Sequence, residues 1–172
     1  MKRFGTSYLD IQFRRIVAAE LATAKKEVLV VTGEFSAFSN YLELQWAVQE
    51  AAKRGVKFRI YSNSFKPGIA RKLKSWGCKL YTGSTRMQDH FMIVDGKEAV
   101  ISRSHRPHSV GERHGEITKK GIRKRIVLFR NLVRTGKSVT RIIGPDALDE
   151  WLAQPAWTDV PVDTSHLDGE LG

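Results

Sequence analysis

Residues 88–105 read QDHFMIVDGKEAVISRSH. Two apolar, β-prone runs, HFMIV and EAVIS, flank an Asp-Gly pair. Asp-Gly between such runs signals a tight β-hairpin, because both central residues of a type I′ turn need positive φ. With Asp95 and Gly96 as a two-residue loop, paired positions sum to 191, so that Gln88 faces Arg103, His90 faces Ile101 and Met92 faces Ala99. Gln88, His90 and Arg103 are then expected on one face, beside the Ser/Arg/His cluster at 102–105.

Upstream of the hairpin, helical and strand patterns alternate. YLDIQFRRIVAAELATAKK sets Ile11, Ile16, Ala19 and Leu21 near one face and predicts an amphipathic helix. EVLVVTG (27–33) reads as a buried strand. SNYLELQWAVQEAAKRG (39–55) reads as a helix with Ser39 or Asn40 as its cap, Gly55 as its stop, and Leu42, Trp46, Val48 and Ala52 as its apolar side. Trp46 is expected in the core. VKFRIYSN (56–63), IARKLKSWG (69–77) and CKLYTG (78–83) continue as strand, short basic helix and strand. This alternation predicts an α/β fold, a mixed and mostly parallel sheet flanked by helices.

Downstream, KKGIRKRIVLFRNLVRTGK (119–137) places Ile122, Ile126, Phe129 and Val133 on one helical stripe. Arginines occupy much of the remainder, and no acid occurs between Glu116 and Asp146. DALDEWLAQ (146–154) is expected to form a short helix, followed by a loosely held, Pro-containing acidic remainder. The simplest division is one domain over residues 1–144 and an acidic tail over 145–172.

Charge sharpens that division. The chain of 172 residues carries 29 Lys and Arg against 18 Asp and Glu, a net +11. Seven of the acids and none of the basic residues lie in 145–172, which leaves 29 against 11, or +18, on residues 1–144. Such a field attracts polyanions, nucleic acid above all. No apolar run approaches a membrane span and the start lacks a leader-like stretch, so a soluble, cytoplasmic protein is expected. Cys78, the single cysteine, reads as a small core residue rather than a reactive one. No zinc-like spacing occurs, and no metal or cofactor is expected.

Residues 88–105 resemble the signature region of the phospholipase D-like superfamily, H-x-K-x4-D followed after six residues by G-S-x-N. FMIVDG carries the resemblance, and ELATAKKEVLVVTGEF and AVQEAAKRGVKFRIYSN are similar to the family's first βαβ units, so it extends over roughly residues 10–135. With Asp95 on the family's Asp, Gln88 stands at the nucleophilic histidine, His90 at the lysine, and SRSH (102–105) at G-S-x-N. Only the Asp is unchanged. In the family the histidine attacks phosphorus, the lysine and asparagine hold phosphoryl oxygens, and two motifs meet in one site; a single motif per chain implies a homodimer. A glutamine amide donates to a phosphate oxygen but is no nucleophile at neutral pH, so that mechanism does not run unchanged here.

Three functional classes follow. In the first, a catalytically degenerate domain binds nucleic acid or another phosphate-bearing ligand, with Gln88, His90, Arg103 and His105 as a phosphate cradle and Arg123, Lys124, Arg130 and Arg134 contacting a nucleic-acid backbone. In the second, a phosphodiesterase or nuclease uses a rearranged site of His90, Asp95, His105 and His108, with Arg103, Arg106 and Arg113 available to stabilise charge. The third is a structural dimerisation module whose charge confers solubility. Plainer roles stand beside each residue: His90 as a hydrogen-bonded strand histidine, Asp95 as a turn former, and His105, His108 and His114 as part of a solvated loop; Glu34, just beyond the first parallel strand at the edge where α/β folds bind ligands, reads either as a ligand-site residue or as a helix-entry acid. The four tryptophans are too scattered to form a base-stacking platform.

Overall fold

A computed structural model describes residues 7–8, 10–34, 42–85, 90–102, 111–112 and 118–142. The elements run β1 (Ser7–Tyr8), α1 (Asp10–Thr23), β2 (Glu27–Glu34), α2 (Leu42–Lys53), β3 (Lys57–Ser64), α3 (Pro67–Ser75), β4 (Lys79–Thr82), β5 (His90–Val94), β6 (Glu98–Ser102), β7 (Gly111–Glu112), α4 (Lys119–Thr135) and β8 (Lys137–Ser138). Six strands form one sheet in the order β6-β5-β2-β3-β4-β8, while β1 and β7 pair separately. The centre, β2-β3-β4, is parallel, as two βαβ units require. Both flanks are antiparallel, where the β5–β6 hairpin joins β2 and the short β8 closes on β4.

Strand β2 shows why the layers form. Val28 belongs to the core beneath α1, α2 and α3, with Val30 packed against it, while Leu29 and Val31 belong to the core beneath α4. A strand covered on both faces must be apolar at successive positions, hence VLVV. Leu21, Ala47, Val48, Ala51, Ile69, Ala70 and Leu73 fill the first core; Ile122, Phe129 and Leu132 cover the second. On α4, the expected Ile126 and Val133 are only half-buried and Leu132 is buried.

Helix α2 is rotated from its expected setting. Leu44, Gln45, Ala47, Val48 and Ala51 face inward, whereas Leu42 is 77% and Trp46 65% exposed. Leu44, Ala47, Val48 and Ala51 follow the i, i+3, i+4, i+7 spacing of a single stripe, and Leu42 and Trp46 lie roughly opposite it. The alanines also let the helix approach its neighbours closely, which the bulky alternative does not. Trp46 is therefore a surface residue. Arg54 Nη2, just beyond the helix, donates to the carbonyls of Leu21, Ala22 and Ala24 at 3.0, 3.4 and 3.3 Å, placing a cation at the C-terminus of α1.

The hairpin forms with a shifted register. Asp95 and Gly96 have φ of 52° and 66°, and Lys97 N donates to Val94 O at 3.0 Å, closing the turn expected from Asp-Gly. Val94 nevertheless pairs with Glu98, so Lys97 is an additional loop residue. Paired positions sum to 192: His90 faces Ser102, Phe91 faces Ile101 and Met92 faces Val100. The expected pairing of His90 with Ile101 is corrected accordingly; the shared face expected for Gln88, His90 and Arg103 involves Gln88 and Arg103, which lie outside the described residues.

Cys78 is 5% exposed, and burial pushes its thiol up to about 12, partly opposed by a backbone hydrogen bond. It is packed as a core residue with little thiolate at neutral pH. Thiol-reagent titration across a denaturant series should show labelling that rises only with the unfolding transition; rapid labelling in native buffer would contradict this packing.

Candidate phosphate-binding edge and cationic helix

Strands β2, β3 and β4 end at one edge of the sheet, and antiparallel β5 begins there with His90. This is the edge at which α/β sheets place ligands. The β2–β5 register pairs Val28 with Val94 through to Val31 with Phe91, and its next step sets Thr32 against His90. The half-buried His90 Nδ1 accepts from the Gly33 backbone N–H at 3.0 Å and lies 3.1 Å from Thr32 Oγ1. Since a backbone N–H only donates, Nδ1 is the unprotonated nitrogen, the Thr32 hydroxyl also donates to it, and the ring proton resides on Nε2.

That tautomer has chemical consequences. An Nε2–H group donates to an anionic oxygen while the ring remains neutral; it has no Nε2 lone pair with which to attack phosphorus. Gly33 makes the arrangement possible, because a Cβ there would come within 3.2 Å of His90 Cε1. Gly33→Ala should push the ring away from the amide, weaken that hydrogen bond and cost about 1–2 kcal/mol in chemical denaturation. Unchanged stability would show that the ring is not held by this contact.

Asn63 completes the described part of the edge. Its Nδ2 donates to the carbonyls of Gly83 at 2.7 Å and Thr85 at 2.8 Å, fixing the amide, and its Oδ1 lies 3.7 Å from the position a Gly33 Cβ would take. Thr82 Oγ1 donates to Asn63 O at 3.2 Å, and the buried Ser62 Oγ to Ser64 O at 2.7 Å. Sequence reading missed Thr32, Gly33 and Asn63 at this edge. Their signal is positional: each falls near the end of a parallel strand, where Thr, Gly and Asn replace the apolar run.

Asp95 is placed elsewhere. Its Oδ1 accepts from Lys26 N at 2.7 Å and Glu27 N at 3.0 Å, its Oδ2 from Lys25 N at 2.9 Å, and its own N–H donates to Glu27 O at 2.8 Å. The turn thus clamps the junction of α1 and β2 at the far end of β5, about 16 Å along the strand from His90. The expectation that Asp95 joins His90 in a reaction centre is corrected by this geometry. Desolvation works against the Asp95 charge, but the amides of Glu27, Lys25 and Lys26 and the Lys26 ammonium outweigh it and hold the carboxyl below its ordinary range.

A carboxyl lowered in the folded state contributes stability above its unfolded pKa of about 3.9 and loses that contribution as pH falls through the folded value. Asp95→Ala also puts a less tolerant side chain at positive φ. At pH 7 the substitution should cost about 1–3 kcal/mol in urea unfolding, and the gap from the parent should narrow below about pH 4. A gap that is absent at pH 7, or constant down to pH 2, would contradict the clamp.

On the other face, Thr118 Oγ1 caps α4 by accepting from Gly121 N at 3.0 Å. Arg123, Lys124, Arg130 and Arg134 are all exposed. Among the described residues they make no ion pair; the surface pair Lys53–Glu50 lies on α2. At 100° per residue Arg123, Arg130 and Arg134 fall on one stripe about 16 Å long. Gln88, Arg103, Arg106, His105, His108, Arg113 and His114 lie outside the described residues, as do the helix expected over 146–154 and the caps expected at Ser39 and Asn40. Of Glu34 the backbone alone is described, as the end of β2.

No family model matches the chain, and no curated protein matches its sequence. Solved structures do match its fold. TrmBL2, an archaeal chromatin protein whose structure shows a novel mode of DNA binding, superposes with a TM-score of 0.55 at 14% identity, over 80% of this chain and 55% of that one. Nuc from Salmonella typhimurium, a phospholipase D family member, gives 0.55 at 16% identity over 80% of this chain and 98% of Nuc. NucT from Helicobacter pylori gives 0.60 at 13% identity over 78% and 98%. The six-stranded mixed sheet, with the hairpin beside β2 and helices on both faces, is a phospholipase D-like fold.

Proposed function

We propose that this chain is a phospholipase D-like domain that binds phosphate-bearing polymers, nucleic acid foremost, without the phosphohistidine chemistry of that superfamily. The observation that carries the reading is the outer face of α4, where Arg123, Lys124, Arg130 and Arg134 are exposed on a helix that contains no acid. Phosphates along a nucleic-acid backbone match such a stripe electrostatically and with little sequence preference. The DNA binding of TrmBL2, whose fold is similar, supports the same direction.

His90 contributes as a neutral Nε2–H donor to a phosphoryl oxygen at the sheet edge, with Gln88, Arg103 and His105 as the remaining members of the cradle. Gln88 stands where the family's nucleophile would be, and the His90 tautomer favours holding an anion over attacking one. Two copies of the domain would bring two such edges together, as the family's two-motif site implies. Sedimentation at high concentration should then report a dimer, and a monomer would remove that part of the reading.

A titration of labelled single- and double-stranded DNA and RNA over several salt concentrations tests the binding. Affinity should fall steeply with salt, and replacing Arg123, Arg130 and Arg134 together by alanine should lower the log–log salt slope by about 2–3. Binding that is absent, or insensitive to salt, would overturn the proposal. The second reading, a phosphodiesterase or nuclease rebuilt on His90 with His105 or His108, draws support from the likeness to Nuc, a phospholipase D family member. Strand cleavage that disappears in His90→Ala would favour it.

A further inference from the structure

Helix α2 leaves two bulky apolar side chains, Leu42 and Trp46, on its outer side, where each is more than half exposed. They lie one turn apart, and at 100° per residue they share a narrow stripe with Gln49 and Lys53. Removing both side chains from water is favourable, and a second helix laid along the stripe covers them. The charge of the chain constrains what that helix belongs to.

Copies of a strongly cationic protein repel wherever cations face each other. Helix α4 carries seven Lys and Arg and no acid, and α3 carries three and no acid. On α1, Asp10 and Glu20 balance Arg14 and Arg15. Among the described helices, α2 is the one whose acids outnumber its bases, with Glu43 and Glu50 against Lys53. Its outer side is therefore where a second copy meets least repulsion, and it is also complementary to itself. Glu43 lies in the first turn and Lys53 in the last, so an antiparallel copy sets each Lys53 opposite the partner's Glu43. In that register the two Trp46 lie about 6 Å apart along the helix axes, and Leu42 packs along the aliphatic stem of the partner's Lys53. Lys53 already donates to Glu50 Oε1 at 3.0 Å, and its ammonium has two further N–H groups to offer.

We propose that two copies of this chain pack α2 against α2 about a two-fold axis, with Trp46 beside the axis and Lys53 against the partner's Glu43 at either end, and that the dimer bridges two separate nucleic acids. The layer order leads from the first statement to the second. Helix α2 lies over the core on one face of the sheet and α4 over the core on the other. Joining two copies through α2 therefore turns both arginine stripes outward, on opposite sides of the dimer. With layers about 10 Å apart, the two α4 helices stand about 50 Å from each other. The bridging rests on the nucleic-acid binding proposed above; the α2 contact does not. That contact is also distinct from a meeting of two His90 edges, because α2 covers a face of the sheet.

Sedimentation equilibrium of the full chain without nucleic acid tests the contact. A dimer is expected, weakened about tenfold or more when Leu42→Ser and Trp46→Ser are combined at these exposed positions. Glu43→Lys and Lys53→Glu should each weaken the dimer alone, and the two together should restore it to within about twofold of the parent. That charge swap decides the matter even if the double Ser variant loses its fold by circular dichroism. A monomer at every concentration would overturn the contact; so would a dimer indifferent to all these substitutions, which would point to the His90 edges instead. Bridging is read by capture of a labelled DNA duplex on beads that carry a second, immobilised duplex. The parent should retain the labelled duplex, while the double Ser variant should bind either duplex yet retain several-fold less. Equal retention by the two would overturn the bridging. A dimer that responds as expected but binds no duplex would leave the α2 contact standing and refute the polyanion function instead.

Discussion

The Asp95 carboxylate gathers three successive backbone N–H groups from Lys25, Lys26 and Glu27, and the placement of β5 against β2 depends on that contact. It joins the hairpin turn to the start of the first long strand, two segments about seventy residues apart in sequence. With that end fixed, the β2–β5 register brings Thr32 and Gly33 against His90 at the opposite edge. A one-residue slip would turn His90 towards the other core, because strand side chains alternate faces. The structural role of Asp95 and the chemistry available to His90 are thus two ends of one strand.

The edge has a defined hydrogen-bonding pattern around His90. The Gly33 amide makes His90 a donor through Nε2, and a donor that stays neutral suits recognition of an anion. In the proposed function the exposed arginines of α4 act differently, through charge in solvent, where salt screens more than at a partly buried hydrogen bond. The two features lie on different layers of the fold, α4 over one face of the sheet and His90 at its edge, so affinity and orientation need not come from the same residues.

Much of the architecture was legible in sequence. The alternation of apolar strands with helices stopped by Gly55 and Gly77, at φ of 88° and 85°, marks the βαβ units, and Asp-Gly marks the hairpin. Less legible was phase. On α2 the size of Leu42 and Trp46 outweighed the alanine stripe that in fact faces inward, because hydrophobicity alone does not register how closely a helix must approach a sheet. Hairpin register was misread for a related reason: the Asp-Gly turn formed, but Lys97 was added to the loop, and nothing local in DGKE distinguishes the two cases. At the sheet edge, the β-prone run HFMIV put His90 on a strand, as observed, but carried no sign of Gly33, whose contact with His90 appears only when β2 and β5 are side by side.

The ring nitrogens of His90 offer the most direct measurement, through 15N NMR of the full-length protein with and without a short single-stranded oligonucleotide. Expected are an unprotonated Nδ1, a protonated Nε2 whose resonance shifts on addition of the oligonucleotide, and strands that remain intact. A protonated Nδ1 in the ligand-free protein, or an Nε2 resonance indifferent to saturating oligonucleotide, would contradict the assignment of His90 as the phosphate donor of a binding domain.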